Sequence, residues 1–103
     1  MKYVVSFTPR HGGSPADTEI AEKRSMEVFS KWTPPEGVRF HQFLARLDTG
    51  GGYAVVESDN PTLVAEAPAK FAPWFVFEVT PVLDMTEAVT IAQEAIDFRE
   101  SIG

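Results

Sequence analysis

VRFHQFLARLDTGGGYAVVES, residues 38–58, reads as two strands folded back on each other around a glycine turn. Asp48, Thr49 and the run Gly50-Gly51-Gly52 offer the positive-φ positions that a chain reversal needs, and β-branched and aromatic residues flank them on both sides. Every other segment finds its place relative to that hairpin.

Upstream, Lys2 to Thr8 alternates as a strand, with Tyr3, Val5 and Phe7 on one face and Val4, Ser6 and Thr8 on the other. Ser14-Pro15-Ala16-Asp17 opens a helix, with serine as N-cap, proline at the first helical position and aspartate at the positive end of the dipole. Its apolar stripe is Ile20, Ala21, Val28, Phe29 and Trp32, and Thr33-Pro34-Pro35-Glu36-Gly37 ends it. Downstream, Ser58-Asp59-Asn60-Pro61 starts a second helix that Pro68 and Pro73 hold to about two turns. Trp74 to Pro81 is the most strand-like stretch, with Phe75, Phe77 and Val79 on one face and Trp74, Val76, Glu78 and Thr80 on the other. Asp84-Met85-Thr86-Glu87 then gives an N-cap with a glutamate three residues on, opening a last helix to about Ser101. That helix carries two apolar rows, Met85, Ala88, Val89, Ala92 and Ile96, then Ile91, Ala95, Phe98 and Ile102, more than a helix lying on one sheet needs.

The order strand, helix, strand, strand, helix, strand, helix predicts an α+β, ferredoxin-like split βαβ domain over 1–103, with a four-stranded antiparallel sheet in the order 4-1-3-2. Both helical crossovers fall on one face of such a sheet. The other face, with Val4, Ser6, Thr8, Trp74, Val76, Glu78 and Thr80, is more apolar than a water-facing surface of this size. A second copy covering it, as in a dimeric α/β barrel clasped by the extra apolar row of the last helix, is the expected assembly; the alternative is a monomer with a mixed outer face.

Composition narrows the function classes. The chain has no cysteine, so disulfides, thiolate metal sites and a cysteine nucleophile are excluded. Nine Lys and Arg against 15 Asp and Glu give a net charge of −6, with the cations scattered, which argues against nucleic acid or an anionic membrane as partner. The opening MKYVVSFTPR is too short in its apolar run for a signal peptide, and no run of about 18 apolar residues occurs, so a cytoplasmic protein is expected.

KYVVSFTPR (2–10), FSKWTPPEGV (29–38), GGYAVVESDNP (51–61) and FAPWFVFEVTPVLD (71–84) resemble a family of small bacterial proteins, domain-of-unknown-function family 3303, and the similarity runs over nearly the whole chain. The resemblance implies membership of the dimeric α/β-barrel superfamily. Its better-known relatives include cofactor-free monooxygenases of aromatic polyketides, muconolactone isomerases, haem-degrading enzymes and stress-induced barrel proteins. Any catalysis it implies is therefore of a cofactor-independent monooxygenase or isomerase kind, and it lends no catalytic residue.

The residues themselves offer candidates. His41, in the strand VRFHQFL, is a candidate general base or ligand, or else an exposed or hydrogen-bonded histidine on an edge strand. Glu78 interrupts FVFEVTP on the face that enters the barrel, where desolvation suits it to acid or base work; a salt bridge across the dimer, to Arg39, Arg46 or Lys70 of either chain, is the other reading. Arg10, His11, Gly12 and Gly13 precede a helix N-terminus that could hold an anion, although the spacing matches no phosphate loop. Trp32, Trp74, Phe71, Phe75 and Tyr53 could line a pocket for a flat organic molecule between sheet and helices, or be core. Two histidines and no suitable carboxylate spacing predict no metal site, no tightly held haem and no other cofactor. Two functions follow: a binder or enzyme of a small organic molecule, or a noncatalytic homodimeric module.

Overall fold

The computed structural model describes residues 1–10 and 12–103; His11, and the part of the anion-loop expectation resting on it, lie outside the described residues. The chain runs β1 (Lys2–Pro9), α1 (Pro15–Lys31), β2 (Arg39–Ala45), β3 (Gly52–Glu57), α2 (Pro61–Val64), α3 (Glu66–Phe71), β4 (Phe75–Val82) and α4 (Met85–Ile102). The sheet order is β2-β3-β1-β4, with every pair antiparallel, which is the expected 4-1-3-2 order read from the opposite edge. The fold is ferredoxin-like, with a terminal helix added.

The hairpin forms where the sequence places it, but its glycines serve a different purpose. Thr49, at φ 62°, takes the first left-handed position, and Gly50 is not among the positive-φ residues. Asp48 stabilises that turn by accepting from the Gly50 N–H at 2.9 Å, and the Arg46 N–H closes it on the Gly51 carbonyl at 2.8 Å. Gly51 has φ 108°, and a Cβ there would stand 1.9 Å from the Phe7 carbonyl oxygen. At Gly52 a Cβ would stand 2.1 Å from the Leu44 carbonyl oxygen. Close approach of β1 and β2 therefore demands glycine at both positions.

A bulge interrupts the β2–β3 ladder. Phe40 faces Val56 and Gln42 faces Val55, so His41 is the extra residue. Phe40 and Phe43 consequently share the helix-covered face, while His41 and Gln42 both turn to the other. On the covered face Tyr3, Val5, Ala54 and Val56 are buried with Val64, and Val38, Phe40 and Phe77 pack against them. Full burial of each large aliphatic side chain contributes roughly 1.5–3 kcal/mol.

α1 begins with the expected cap, reciprocated as a capping box: the Ser14 hydroxyl accepts from the Asp17 N–H, and the Asp17 carboxylate accepts from the Ser14 N–H. Asp17 thus already satisfies an amide that the anion-loop reading needed. The helix meets the sheet through its C-terminal half, where Phe29 packs on Phe43 and Trp32 on Phe40. Ile20, expected inside, is 67% exposed because its turn precedes that contact. The single short helix expected after Asn60 is two pieces, α2 and α3, meeting at Ala65. Pro68 falls in the first turn of α3, where a missing N–H costs no helical hydrogen bond.

α4 follows the expected boundaries, yet Asp84 caps it differently. Its carboxylate accepts from Lys2 Nζ at 3.0 Å and from no helical N–H, while its backbone carbonyl accepts from the Glu87 and Ala88 amides. Beyond this tether to β1, α4 stands clear of the sheet and contributes no buried residue. The radius of gyration is 18.5 Å and the longest dimension 64 Å, against about 13 Å expected for a compact chain of this length.

Candidate functional site

The covered sheet face and helices α1, α2 and α3 border a half-open aromatic cavity of about 290 Å³. Seven of the eight phenylalanines line it, together with Trp32; the exception, Phe98, is on α4. The strand alternation and the bulge bring Phe7, Phe40, Phe43, Phe75 and Phe77 to the floor, and Phe29, Trp32 and Phe71 come from the helices. The rings hold one another mostly edge to face: Phe7 with Phe43 and with Phe75 at 5.8 Å, Trp32 with Phe71 at 5.7 Å and 90°. Such pairs add about 0.5–1.5 kcal/mol each beyond burial.

The lining includes no ionisable side chain. Ser25 is buried there, but its hydroxyl donates to the Glu22 carbonyl at 2.8 Å inside α1. The Trp32 indole N–H points to Glu66, 3.4 Å from each carboxylate oxygen, so its polar edge is answered at the rim. An apolar cleft with a polar rim can hold a flat uncharged ring system; by itself it offers no proton donor or acceptor to a reaction.

The expected pocket residues divide among four places. Phe71 and Trp32 are in the cavity wall. Trp74 lies beside it, packed on Phe71 at 6.4 Å but outside the lining. Arg10 clamps the turn between α3 and β4: its Nε donates to the Ala72 carbonyl and its amide to the Trp74 carbonyl, each at 2.8 Å. Tyr53 is on the opposite sheet face, between Ser6 and Leu44, and is 44% exposed.

Glu78 and His41 are also on that opposite face. Glu78 stands across from Ser6, is exposed, and has no hydrogen bond or ion pair among the described residues. Of the cations considered for it, Arg46 is paired with Asp48 and Lys70 with Glu66. His41 Nε2 meets Glu57 Oε1 at 2.7 Å. That hydrogen bond, with the nearby positive charges of His41, the N-terminus and Lys2, holds the Glu57 carboxyl below its usual value. Asp48 is likewise lowered, first by the Gly50 N–H and then by Arg46, and the Asp84 hydrogen bond raises Lys2.

No sequence signal singles out Glu57. Alternation alone turns it outward, and only the bulge, which has no sequence signal here, brings His41 onto its side. Among the described residues no group of three or more His, Asp or Glu is placed to hold a metal ion, and no helix is long and apolar enough to cross a membrane.

Comparison with known proteins gives a family match and weak structural likenesses. The family model described as Domain of unknown function (DUF3303) matches residues 1–96. No curated protein matches the chain. Among solved structures, one provisionally described as a chlorite dismutase aligns with a TM-score of 0.45 and 20% identity, covering 76% of this chain and 40% of that one. The chain thus spans less than half the length of that protein. Another, SnoaB, a cofactor-independent oxygenase from Streptomyces nogalater, aligns with a TM-score of 0.34 and 17% identity, covering 81% of this chain and 92% of the other.

Proposed function

We propose that this chain, which belongs to the family described as Domain of unknown function (DUF3303), binds a small, flat organic molecule in the aromatic cavity and does so as a homodimer. The observation that carries the binding is the cavity of about 290 Å³, walled by aromatic rings and free of ionisable groups. Binding is favoured over transformation, because a general acid or base must reach its proton within hydrogen-bond distance, and Glu78 and His41 lie across the sheet from the cavity.

Isothermal titration of the whole chain with 2-naphthamide, a neutral flat aromatic, tests this. Saturable binding is expected, and Ala67→Trp, which puts a large ring into the cavity, should abolish it. Absence of saturable heat up to millimolar ligand would overturn the reading.

The homodimer is supported by two uncovered apolar surfaces on one chain. On the open sheet face Leu44, in register with Tyr53, and Val76, on the edge strand β4, are each 50% exposed, and α4 exposes both of its apolar rows. A second copy that covers the sheet face and receives α4 removes both from water, as a stable interface of about 1,600 Å² requires. The same surfaces favour a second reading, a noncatalytic homodimeric module whose cavity holds no ligand, and the naphthamide titration separates the two.

A further inference from the structure

We infer that the molecule bound in the cavity is an organic anion, a small aromatic carboxylate or its like, with its ring in the cavity and its charged group at the rim beside Trp32. This rests on the cavity reading above and names its ligand class. A second recess, of about 300 Å³, adjoins the first along Trp32, and its other walls are Arg24, Glu27, Val28, Lys31 and Lys70. The chain has nine Lys and Arg in all, and three of them meet in this one recess.

The charges there are unequally answered. Arg24 Nη1 donates to Glu27 Oε2 at 3.0 Å. Lys70 pairs with Glu66, which also accepts from the Trp32 indole. Lys31 has no side-chain hydrogen bond or ion pair with any described residue. Three cations therefore face two carboxylates, a local positive balance in a chain of net charge −6. The carbonyl end of α1 works against an anion at this place, and Lys31, in the last turn, offsets it.

Only one kind of molecule uses both recesses. A carboxylate pushed among the phenylalanines would lose its hydration with no partner, so the charge must stay outside. A neutral ring gains the cavity alone. A ring bearing a carboxylate gains the cavity and a charge-assisted contact at Lys31. The cations are exposed, so the gain is modest and screened by salt.

The test is isothermal titration of the full chain with 2-naphthoate and 2-naphthamide, which share a ring system and differ in charge. At low ionic strength the naphthoate should bind about three- to tenfold more tightly. The advantage should disappear in about 0.5 M salt. It should also disappear in Lys31→Glu and shrink in Lys31→Gln, the milder variant guarding against a fold defect. Equal affinities, a preference for the amide, or a naphthoate preference unmoved in both variants would overturn the inference while leaving the cavity reading standing. If neither compound binds, both fall.

Discussion

His41 Nε2 lies 2.7 Å from Glu57 Oε1, on the sheet face opposite the aromatic cavity. The contact exists because the bulge turns His41 to the side that Glu57 occupies by alternation. A carboxylate only accepts, so the imidazole donates from Nε2. Arg39 and Lys2 stand in register with Glu57 on either side, giving this end of the face a cationic surround.

The Glu57 pairing predicts a pH dependence of defined sign. Its carboxyl is held below the ordinary value of 4.5 in the folded chain. Its contribution to stability is therefore fully present above that value and is lost as pH falls through the lower, folded one. Urea unfolding of the wild type and Glu57→Gln should show the wild type ahead near neutral pH and the difference shrinking steadily in acid. A difference that stays constant from neutral pH to about pH 3 would contradict the pairing.

A charge placed on the open sheet face should act on assembly rather than on the fold. Val76 is half exposed on the edge strand β4, and Leu44 is its counterpart on the other edge strand. Val76→Lys should keep the wild-type circular dichroism in the sheet region yet halve the mass found by light scattering at micromolar concentration. A wild type already of monomer mass at that concentration would refute the homodimer outright.

Much of this architecture was legible from local signals. The period-two alternation of Tyr3, Val5 and Phe7, the serine and proline at 14 and 15, and the hairpin composition specify elements whose causes are short-range, so strand order followed from them. What stayed hidden depends on contacts between elements. Nothing in RFHQF says which residue becomes the extra one of a bulge, so the orientation of His41 and its meeting with Glu57 could not be read. Asp84 carries the sequence of an N-cap, but Lys2, distant in the chain, claims its carboxylate. The aromatic residues were visible; whether they close into a solid core or stand apart around a cavity is set by how far α1 sits from the sheet, which no periodicity encodes.

α4 is expected to be conditional on the partner. An isolated helix of its length is marginal in water, and nothing in its own chain covers Ile91 or Phe98, which are 54% and 65% exposed. Ile91→Glu combined with Phe98→Glu should lower the helical signal at 222 nm and abolish the dependence of Tm on protein concentration expected of the wild type. If the double variant keeps both the helical signal and a concentration-dependent Tm, α4 has no part in the assembly.

Phe71 is the residue on which the cavity wall depends most. It is 6% exposed and touches Phe29, Trp32 and Trp74, so it joins α1 to the turn that enters β4. Truncation to alanine removes a ring that cannot be replaced by collapse, because its far side already borders the cavity. Phe71→Ala should therefore cost about 3–5 kcal/mol in urea unfolding, and Phe71→Leu, which keeps most of the volume, less than about 1.5 kcal/mol. Both changes fall on a wall and not on a charge, so the loss should not vary with salt. The 2-naphthamide affinity should fall with Phe71→Ala even in conditions where the variant is fully folded, since the Trp32 ring loses the perpendicular neighbour that holds it. A cost below about 1 kcal/mol for the alanine variant, with ligand affinity unchanged, would mean that the aromatic wall is not fixed in the folded chain, and the cavity would then be no pre-formed site.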